Sequence, residues 1–219
     1  MKVEYDIPIE KGVRLTEEMV LSDLESYKDV ASWFCRYPDI FLDYLTPRNE
    51  SFKLYFYQRI FLRASLRYRY VFTIAPRAFS KSFISILAGY LKCVFLPNEN
   101  FAIVAPGKAQ GAKIAQQKIK EIWSHWPMLE KELIKANMGS DYVDLYFKNG
   151  STFSVTGALD STRGQRKTGA IIDELRDHDP QLITEVVLPL LNVSRRDPDG
   201  TIDPTEATQQ QMYMDLLFF

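Results

Sequence analysis

Residues 75–82 of this chain read Ala-Pro-Arg-Ala-Phe-Ser-Lys-Ser and match most of a phosphate-binding loop. In the P-loop pattern G-x-x-x-x-G-K-[ST], the lysine reaches the β- and γ-phosphates and the last hydroxyl ligates Mg²⁺. Lys81 and Ser82 occupy these two positions, whereas Ala75 and Ser80 stand where the pattern has glycine. The stretch therefore predicts a nucleotide site that keeps the functional side chains and lacks the two conformationally free backbone positions.

The segments on both sides of this stretch predict a strand, a loop and a helix. Residues 70–75 form an apolar run of β-branched and aromatic residues, and residues 83–91 carry apolar side chains at helical spacing. Such a loop turns backbone N–H groups toward an anion at the helix N-terminus. An ordinary solvated turn between a strand and a helix is the alternative at this point.

A second segment supplies the other half of such a site. Residues 169–174 read Gly-Ala-Ile-Ile-Asp-Glu, a short hydrophobic strand that ends in two carboxylates. In P-loop NTPases with this Walker B form, the aspartate helps to hold Mg²⁺ and the following acidic residue can orient the attacking water. Asp173 and Glu174 match these roles, although two acidic residues after a strand can also cap the next helix. We expect this strand and the strand of residues 70–75 to be neighbours in one parallel sheet, with Ser82 and Asp173 sharing the Mg²⁺.

The composition fits one catalytic domain. The chain has 219 residues, enough to bury a sizeable core, and its formal net charge of −1 means that nucleic-acid contacts need local basic patches. Its two cysteines, Cys35 and Cys93, lie far apart and support neither a zinc site nor a disulfide framework. The sequence shows neither a signal peptide nor an apolar run of transmembrane length. We therefore expect a soluble, intracellular protein with no membrane partner.

The remaining patterns divide the chain into an N-terminal segment and a core. Residues 1–50 are expected to form an arm and a helical segment, and residues 51–219 the P-loop core. Strands alternate with helical segments in the core, which favours an α/β fold with a mainly parallel sheet flanked by helices. Residues 142–147 and 151–155 predict a β-hairpin, because the Asn-Gly pair between them favours a tight type I′ turn.

The ordered set of motifs resembles that of the large terminase subunits of tailed bacteriophages, the ATPases that package DNA into capsids. The resemblance covers about residues 52–190. Its parts are a Q motif, a deviant Walker A that opens with arginine, the strand and loop after the first crossover helix, an Arg-Gly segment and the Walker B strand. In order, these are Gln58 with the preceding Phe56-Tyr57, and residues 77–82, 103–110, 161–166 and 171–174.

The resemblance implies a role for each residue of an ATP site. It implies ATP and Mg²⁺ as cofactors, with Ser82 and Asp173 on the metal. The ATP-binding residues would be Gln58 on the adenine edge, then Arg77, Ala78, Phe79, Ser80, Lys81 and Ser82 around the phosphates. Catalysis would fall to Glu174 on the water, Arg77 on the γ-phosphate charge, and Arg163 as an arginine finger for the neighbouring subunit. Arg163 is preferred to Arg166 as the arginine finger because it carries the Arg-Gly match. Two roles have structural alternatives: Gln58 could cap a turn, and Arg77 could be a solvated side chain.

The resemblance also implies partners and a larger protein. The partners would be double-stranded DNA, the portal protein and the small terminase subunit, in a homo-oligomeric ring in the host cell cytoplasm. Residues 209–214 resemble the start of the strand that carries the family's coupling motif, and the sequence stops at Phe219. The resemblance therefore leads us to expect an N-terminal ATPase fragment without the lid or nuclease domain. The alternatives are a helicase-like P-loop ATPase and a degenerate, non-catalytic nucleotide-binding or assembly domain. Two groups of basic residues are candidates for DNA contacts, and each can instead be a solvated helix face. The first group is Arg63, Arg67 and Arg69, and the second is Lys108, Lys113, Lys118 and Lys120.

Overall fold

The described residues form a seven-stranded sheet with helices packed against it. The computed structural model describes residues 24–47, 50–68, 70–76, 79–157, 166–174, 177–183, 185, 191 and 211–216. The helices are α1 (Leu24–Arg36), α2 (Pro38–Leu45), α3 (Phe56–Arg67), α4 (Lys81–Phe95), α5 (Lys108–His125), α6 (Pro127–Glu130) and α7 (Pro180–Leu182). The strands are β1 (Tyr70–Ile74), β2 (Asn100–Ala105), β3 (Leu133–Met138), β4 (Val143–Phe147), β5 (Thr152–Gly157), β6 (Gly169–Ile172) and β7 (Gln211–Leu216).

The strand order in the sheet is β1-β7-β6-β2-β5-β4-β3. The first five strands in this order are all parallel to one another. The hairpin partner β4 and the edge strand β3 are antiparallel to their neighbours. This arrangement confirms the predicted α/β fold with a mainly parallel sheet, and it places the carboxyl ends of β1, β2 and β6 at one edge of the sheet.

The predicted adjacency of the P-loop strand and the Walker B strand is wrong. β7 lies between them, pairing with β1 through Tyr70↔Met212 and with β6 through Gly169↔Gln211. The expectation failed because a strand from the far end of the chain inserts at this place, and such non-local pairing leaves no mark in the two segments themselves. β1 and β6 therefore belong to the same parallel sheet, one strand apart.

Helix α4 forms the centre of the core. Its side chains from Phe83 to Cys93 are all buried, as expected for a helix that follows a P-loop strand and packs on the sheet. Gly89 allows the closest approach to the sheet, because a Cβ there would lie 2.5 Å from Cε1 of Phe101 on β2. The helical pattern of residues 83–91 is thus confirmed, and the helix begins two residues earlier, at Lys81.

The hairpin between β4 and β5 is confirmed, but its turn is not of type I′. A type I′ turn requires a positive φ at both of its central residues, here Asn149 and Gly150. Gly150 has a φ of 82°, but the φ of Asn149 is not positive. The Gly150 N–H donates to the Phe147 carbonyl at 3.1 Å, and the Phe147 N–H donates to the Ser151 carbonyl at 2.9 Å. The turn between Phe147 and Ser151 thus has its left-handed residue at the glycine alone.

The N-terminal helices are fastened to α3 by a buried carboxylate. Asp39 on α2 is fully buried and accepts two bonds of 2.8 Å from Nε and Nη2 of Arg63. Arg67 donates to the Arg36 carbonyl at 2.8 Å, and both guanidinium groups lie about 5 Å from the Tyr37 ring centroid. Arg63 and Arg67 therefore make intramolecular contacts, Arg69 lies outside the described residues, and a DNA-binding patch at these arginines stays a prediction. The domain boundary at residue 50 stays a prediction.

The second candidate patch lies on α5 and is partly neutralised. Lys108, Lys113 and Lys120 are exposed, whereas Lys118 forms an ion pair of 2.8 Å with Glu121. The exposed residues of α5 recur at helical spacing, which is the ordinary pattern of a solvated helix face. Within the described ranges, none of the helices combines the length and the hydropathy that spanning a bilayer takes.

Candidate nucleotide site

Ser80, which stands where the P-loop pattern has its second glycine, has a left-handed backbone. Ser80 adopts the left-handed conformation, with φ 52° and ψ 33°, and its carbonyl accepts the Ile84 N–H at 3.1 Å as α4 begins. Glycine reaches this conformation without steric cost, whereas a residue with a Cβ does not. The chain thus places a serine in a backbone conformation that favours the glycine of the pattern.

Lys81, the first residue of α4, points its ammonium group into the protein. Its Nζ is buried and has no hydrogen-bond partner among the described residues. Burying an unpaired cation is costly, so such a group is ordinarily paired or accepts an anionic ligand. The N-terminus of α4 also offers free backbone N–H groups, and together they form a site suited to a phosphate group.

The Walker B strand ends beside this lysine. The Asp173 N–H donates to the Val104 carbonyl at 3.0 Å, which extends the pairing of β6 with β2 by one residue. Burial raises the pKa of the Asp173 carboxyl, and the Glu174 charge raises it further, while Lys81 and His178 act in the opposite direction without cancelling the rise. The P-loop and Walker B halves meet where Ser82, the residue after Lys81, and Asp173 line one cavity.

Ser82 and Asp173 line the same small cavity. The cavity has a volume of about 20 Å³, room for about one water-sized group, and Ser85 and Gly111 also line it. The described residues contain no group of three or more His, Cys, Asp or Glu side chains that could hold a metal by themselves. One carboxylate and one hydroxyl suit Mg²⁺, which usually binds through one or two protein oxygens together with phosphate oxygens and water.

The turn after Asp173 contains a second strained position. Glu174 has a φ of 50°, and its carbonyl accepts the Asp177 N–H at 2.8 Å. His178 is buried, and its Nε2 lies 3.0 Å from the Asp173 carbonyl oxygen, so this nitrogen is the donor. The His178 bond holds the peptide unit that joins the two carboxylate residues, and the Asp177 bond holds the carbonyl that follows Glu174. No sequence motif marks His178, and only the turn after Asp173 brings its ring back to that residue.

Gln58 fulfils the capping alternative at the start of α3. It is 2% exposed, and its Oε1 accepts the backbone N–H of Tyr55 at 2.9 Å. This bond satisfies one of the donors that a helix start leaves free. A contact between Gln58 and adenine stays a prediction.

An apolar groove lies between α3, β1 and the loop. Its volume is about 240 Å³, and its walls include Ile60 and Ala64 of α3 and Val71 of β1. The aromatic rings of Tyr57 and Phe79 stack at its entrance, with centroids 3.8 Å apart and an interplanar angle of 28°. Lys81 lines the same groove, so an apolar surface of suitable size for a base adjoins the cationic group.

Three residues named for the site lie outside the described residues: Arg77, Ala78 and Arg163. Arg166 is described, and its carbonyl accepts a bond of 2.6 Å from Nδ2 of Asn100, the first residue of β2. Because β2 and β6 are parallel, this contact lies at the amino end of the strands, opposite the edge that carries Asp173. The choice of Arg163 over Arg166 stays a prediction.

The chain is similar to solved structures of phage large terminases. No family model matches it, and no curated protein matches it. The large terminase of bacteriophage HK97 matches with a TM-score of 0.58 and 14% identity, over 83% of this chain and 37% of its own length. The ATPase domain of the Thermus phage P74-26 large terminase matches with a TM-score of 0.54 and 16% identity, over 83% of this chain and 85% of its own.

A third match helps to locate the similarity within the larger proteins. The large terminase of the thermophilic bacteriophage D6E matches with a TM-score of 0.54 and 10% identity, over 73% of this chain. The chain spans only 38% of that terminase but 85% of the isolated P74-26 ATPase domain. This chain therefore has the fold of the ATPase domain of phage large terminases.

Proposed function

We propose that this chain is the ATPase motor domain of a phage large terminase, which hydrolyses ATP to drive double-stranded DNA into a procapsid. The observation that carries the proposal is the convergence of Lys81, Ser82 and Asp173 at one edge of a terminase-type sheet. A buried cation with no partner in the described part of the chain, a hydroxyl and a carboxylate are the groups that a Mg²⁺-nucleotide needs. The left-handed Ser80 also favours a working loop over a degenerate, non-binding one.

Each residue then has a defined task in hydrolysis. Lys81 and the free N–H groups of α4 bind the phosphates, and Ser82 and Asp173 hold Mg²⁺. The metal neutralises charge on the β- and γ-phosphate oxygens when it is bound. Glu174 accepts a hydrogen bond from the attacking water and orients it, and His178 keeps the peptide before Glu174 in place. In this proposal the rate comes from positioning and charge stabilisation rather than from covalent chemistry.

The remaining roles follow from the same proposal. Arg77 contacts the γ-phosphate charge, and Arg163 acts on the nucleotide of a neighbouring subunit in a homo-oligomeric ring, so that the isolated domain hydrolyses ATP slowly. The portal protein, the small terminase subunit and double-stranded DNA are the proposed partners. The host cell cytoplasm is the proposed location. A search for nuclease activity in this chain is expected to find none.

Binding and turnover of ATP test the proposal directly. We expect calorimetry with Mg²⁺-ATP to show binding by the parent, and Lys81→Ala to weaken it by about tenfold or more, because a charge-assisted bond to phosphate is lost. Glu174→Gln is expected to keep the affinity and lose turnover in a phosphate-release assay. Lys120→Ala, which removes an exposed lysine of α5, is the matched control and should change neither. A parent that does not bind ATP, or equal affinities for Lys81→Ala and Lys120→Ala, would overturn the proposal.

A further inference from the structure

Ser80 is in an unfavourable backbone conformation for which its own side chain does not compensate. A residue with a Cβ populates the left-handed region about fivefold to thirtyfold less than the right-handed region. Short polar side chains sometimes recover this through a local hydrogen bond, but the Ser80 side chain makes no capping bond to α4. Some other contact must therefore hold the loop in this conformation, or the loop would relax.

The residue directly before Ser80 is held by an aromatic stack. The Phe79 ring lies 3.8 Å from the Tyr57 ring, and both rings line the groove that also contains Lys81. Tyr57 sits in the first turn of α3, and its ring also lies parallel to that of Tyr55, 5.7 Å away with an interplanar angle of 6°. An aromatic pair of this kind is comparable in strength to the bias against the left-handed region.

The helix that carries Tyr57 is itself immobilised. Gln58 caps its first turn, and Arg59 and Arg63 tie its middle to α2 through Asp43 and Asp39. Tyr57 thus offers Phe79 a fixed surface rather than a mobile side chain. A ring placed on that surface restricts the backbone of the next residue, which is Ser80.

We propose that Tyr57 is a positioning residue for the P-loop: by stacking on Phe79 it holds Ser80 in the left-handed conformation that the missing glycine would otherwise supply. Tyr57 contacts neither phosphate nor metal in this role and acts only through the loop. The effect on nucleotide affinity rests on the proposed ATP site, whereas the effect on loop conformation does not.

A double-mutant cycle measures this coupling through the Kd for Mg²⁺-ATP. Tyr57→Leu is expected to weaken binding by about fivefold to thirtyfold, because only a minor fraction of the loops then has the binding conformation. In the Ser80→Gly background the same substitution is expected to cost about twofold or less, since glycine adopts both conformations equally well. Tyr57→Phe keeps the ring and should bind like the parent. Phe56→Leu, at the exposed neighbouring position, is the matched control and should also be unchanged.

The nucleotide-free loop supplies a readout that does not depend on ATP binding. In crystals without nucleotide, we expect Ser80 to move to a negative φ in Tyr57→Leu, and in Phe79→Leu as a second variant, and to stay near its parent value in Tyr57→Phe. A positive φ at Ser80 in both leucine variants would overturn the inference, as would equal losses of affinity with serine and with glycine at position 80. If the parent fails to bind ATP, the proposed function falls and the comparison of φ values still decides the inference.

Discussion

Replacing Asp39 by asparagine is expected to weaken the joint between the N-terminal helices and α3. The buried Asp39 carboxylate accepts two bonds of 2.8 Å from Arg63. Its bond to Arg59 is longer, at 3.4 Å, and Arg59 keeps two bonds of 2.6 and 2.8 Å to Asp43. The substitution therefore leaves one guanidinium, that of Arg63, without a carboxylate.

The size of the loss depends on how much solvent reaches Arg63. Removing one partner of a buried ion pair costs about 3–5 kcal/mol when the remaining charge stays buried. The Arg63 side chain is 37% exposed and lies 5.0 Å from the Tyr37 ring centroid, so water and the ring still stabilise its charge. We expect the free energy of unfolding to fall by about 2 kcal/mol, which for a chain of this length lowers Tm by about 4–8 °C.

The pH dependence of the loss provides a second test. Burial raises the pKa of Asp39, but the hydrogen bonds and charge of Arg63, helped by Arg59, lower it by more, so the net pKa lies below the ordinary value. A lowered folded-state pKa gives stability that is complete above the unfolded-state value of about 4 and is lost as the pH falls through the folded-state value. The difference between the parent and Asp39→Asn is therefore expected to shrink below about pH 4.

Urea unfolding followed by circular dichroism, from pH 7 down to pH 3, measures both quantities. Asp43→Asn is the matched control, because it removes another carboxylate from the same helix. The Asp43 side chain also bonds to an arginine, Arg59, but it is 47% exposed. An exposed pair contributes less than about 1 kcal/mol, so the control should lose little. Equal losses for the two variants, or a loss from Asp39→Asn that does not vary with pH, would refute the reasoning.

Two further substitutions test the core and the Walker B turn. Gly89→Ala is expected to lower the free energy of unfolding, measured in urea, by about 1–2 kcal/mol. Overpacking against Phe101 outweighs the better helix propensity of alanine. A variant as stable as the parent would show that the sheet can move away from the added methyl group. His178→Phe is expected to lower kcat by about tenfold or more with an unchanged Kd for ATP, since the Asp173 peptide loses its anchor. His178→Gln should recover part of the rate because its amide can donate the same bond, and equal rates for the two His178 variants would argue against this role.

The local parts of the fold could be predicted because each leaves a signal within a few neighbouring residues. β1 and β6 are short apolar runs, and α4 and α5 show apolar positions at helical spacing. The hairpin of β4 and β5 was found from its turn residues, although the turn type was wrong because Asn149 does not have the positive φ that a type I′ turn requires. β3 carries no comparable signal, since its residues include Lys135 and Asn137 at an exposed sheet edge.

The parts that could not be predicted depend on contacts between distant residues. The place of β7 between β1 and β6 depends on pairing across most of the chain. The stack of Tyr57 on Phe79 and the bond from His178 to Asp173 each need a turn whose backbone angles the residue types do not specify. For Gln58 the structure shows the helix cap that was one of the two alternatives, and the contact with adenine stays a prediction. The roles of Lys81, Ser82, Asp173 and Glu174 stay predictions, now with a geometry that suits them.

The position of β7 also determines the order in which this fold can form. β1 is the first described strand and β7 the last, yet they are neighbours in the sheet. During synthesis from the N-terminus, β1 and β6 each keep an unpaired edge until residues 211–216 emerge, and such long-range pairing is slow and prone to aggregation. The loop before Lys81 and the carboxylate of Asp173 come into one sheet only at that step. A nucleotide at the proposed site would therefore stabilise the nascent chain only after its last described strand has been made.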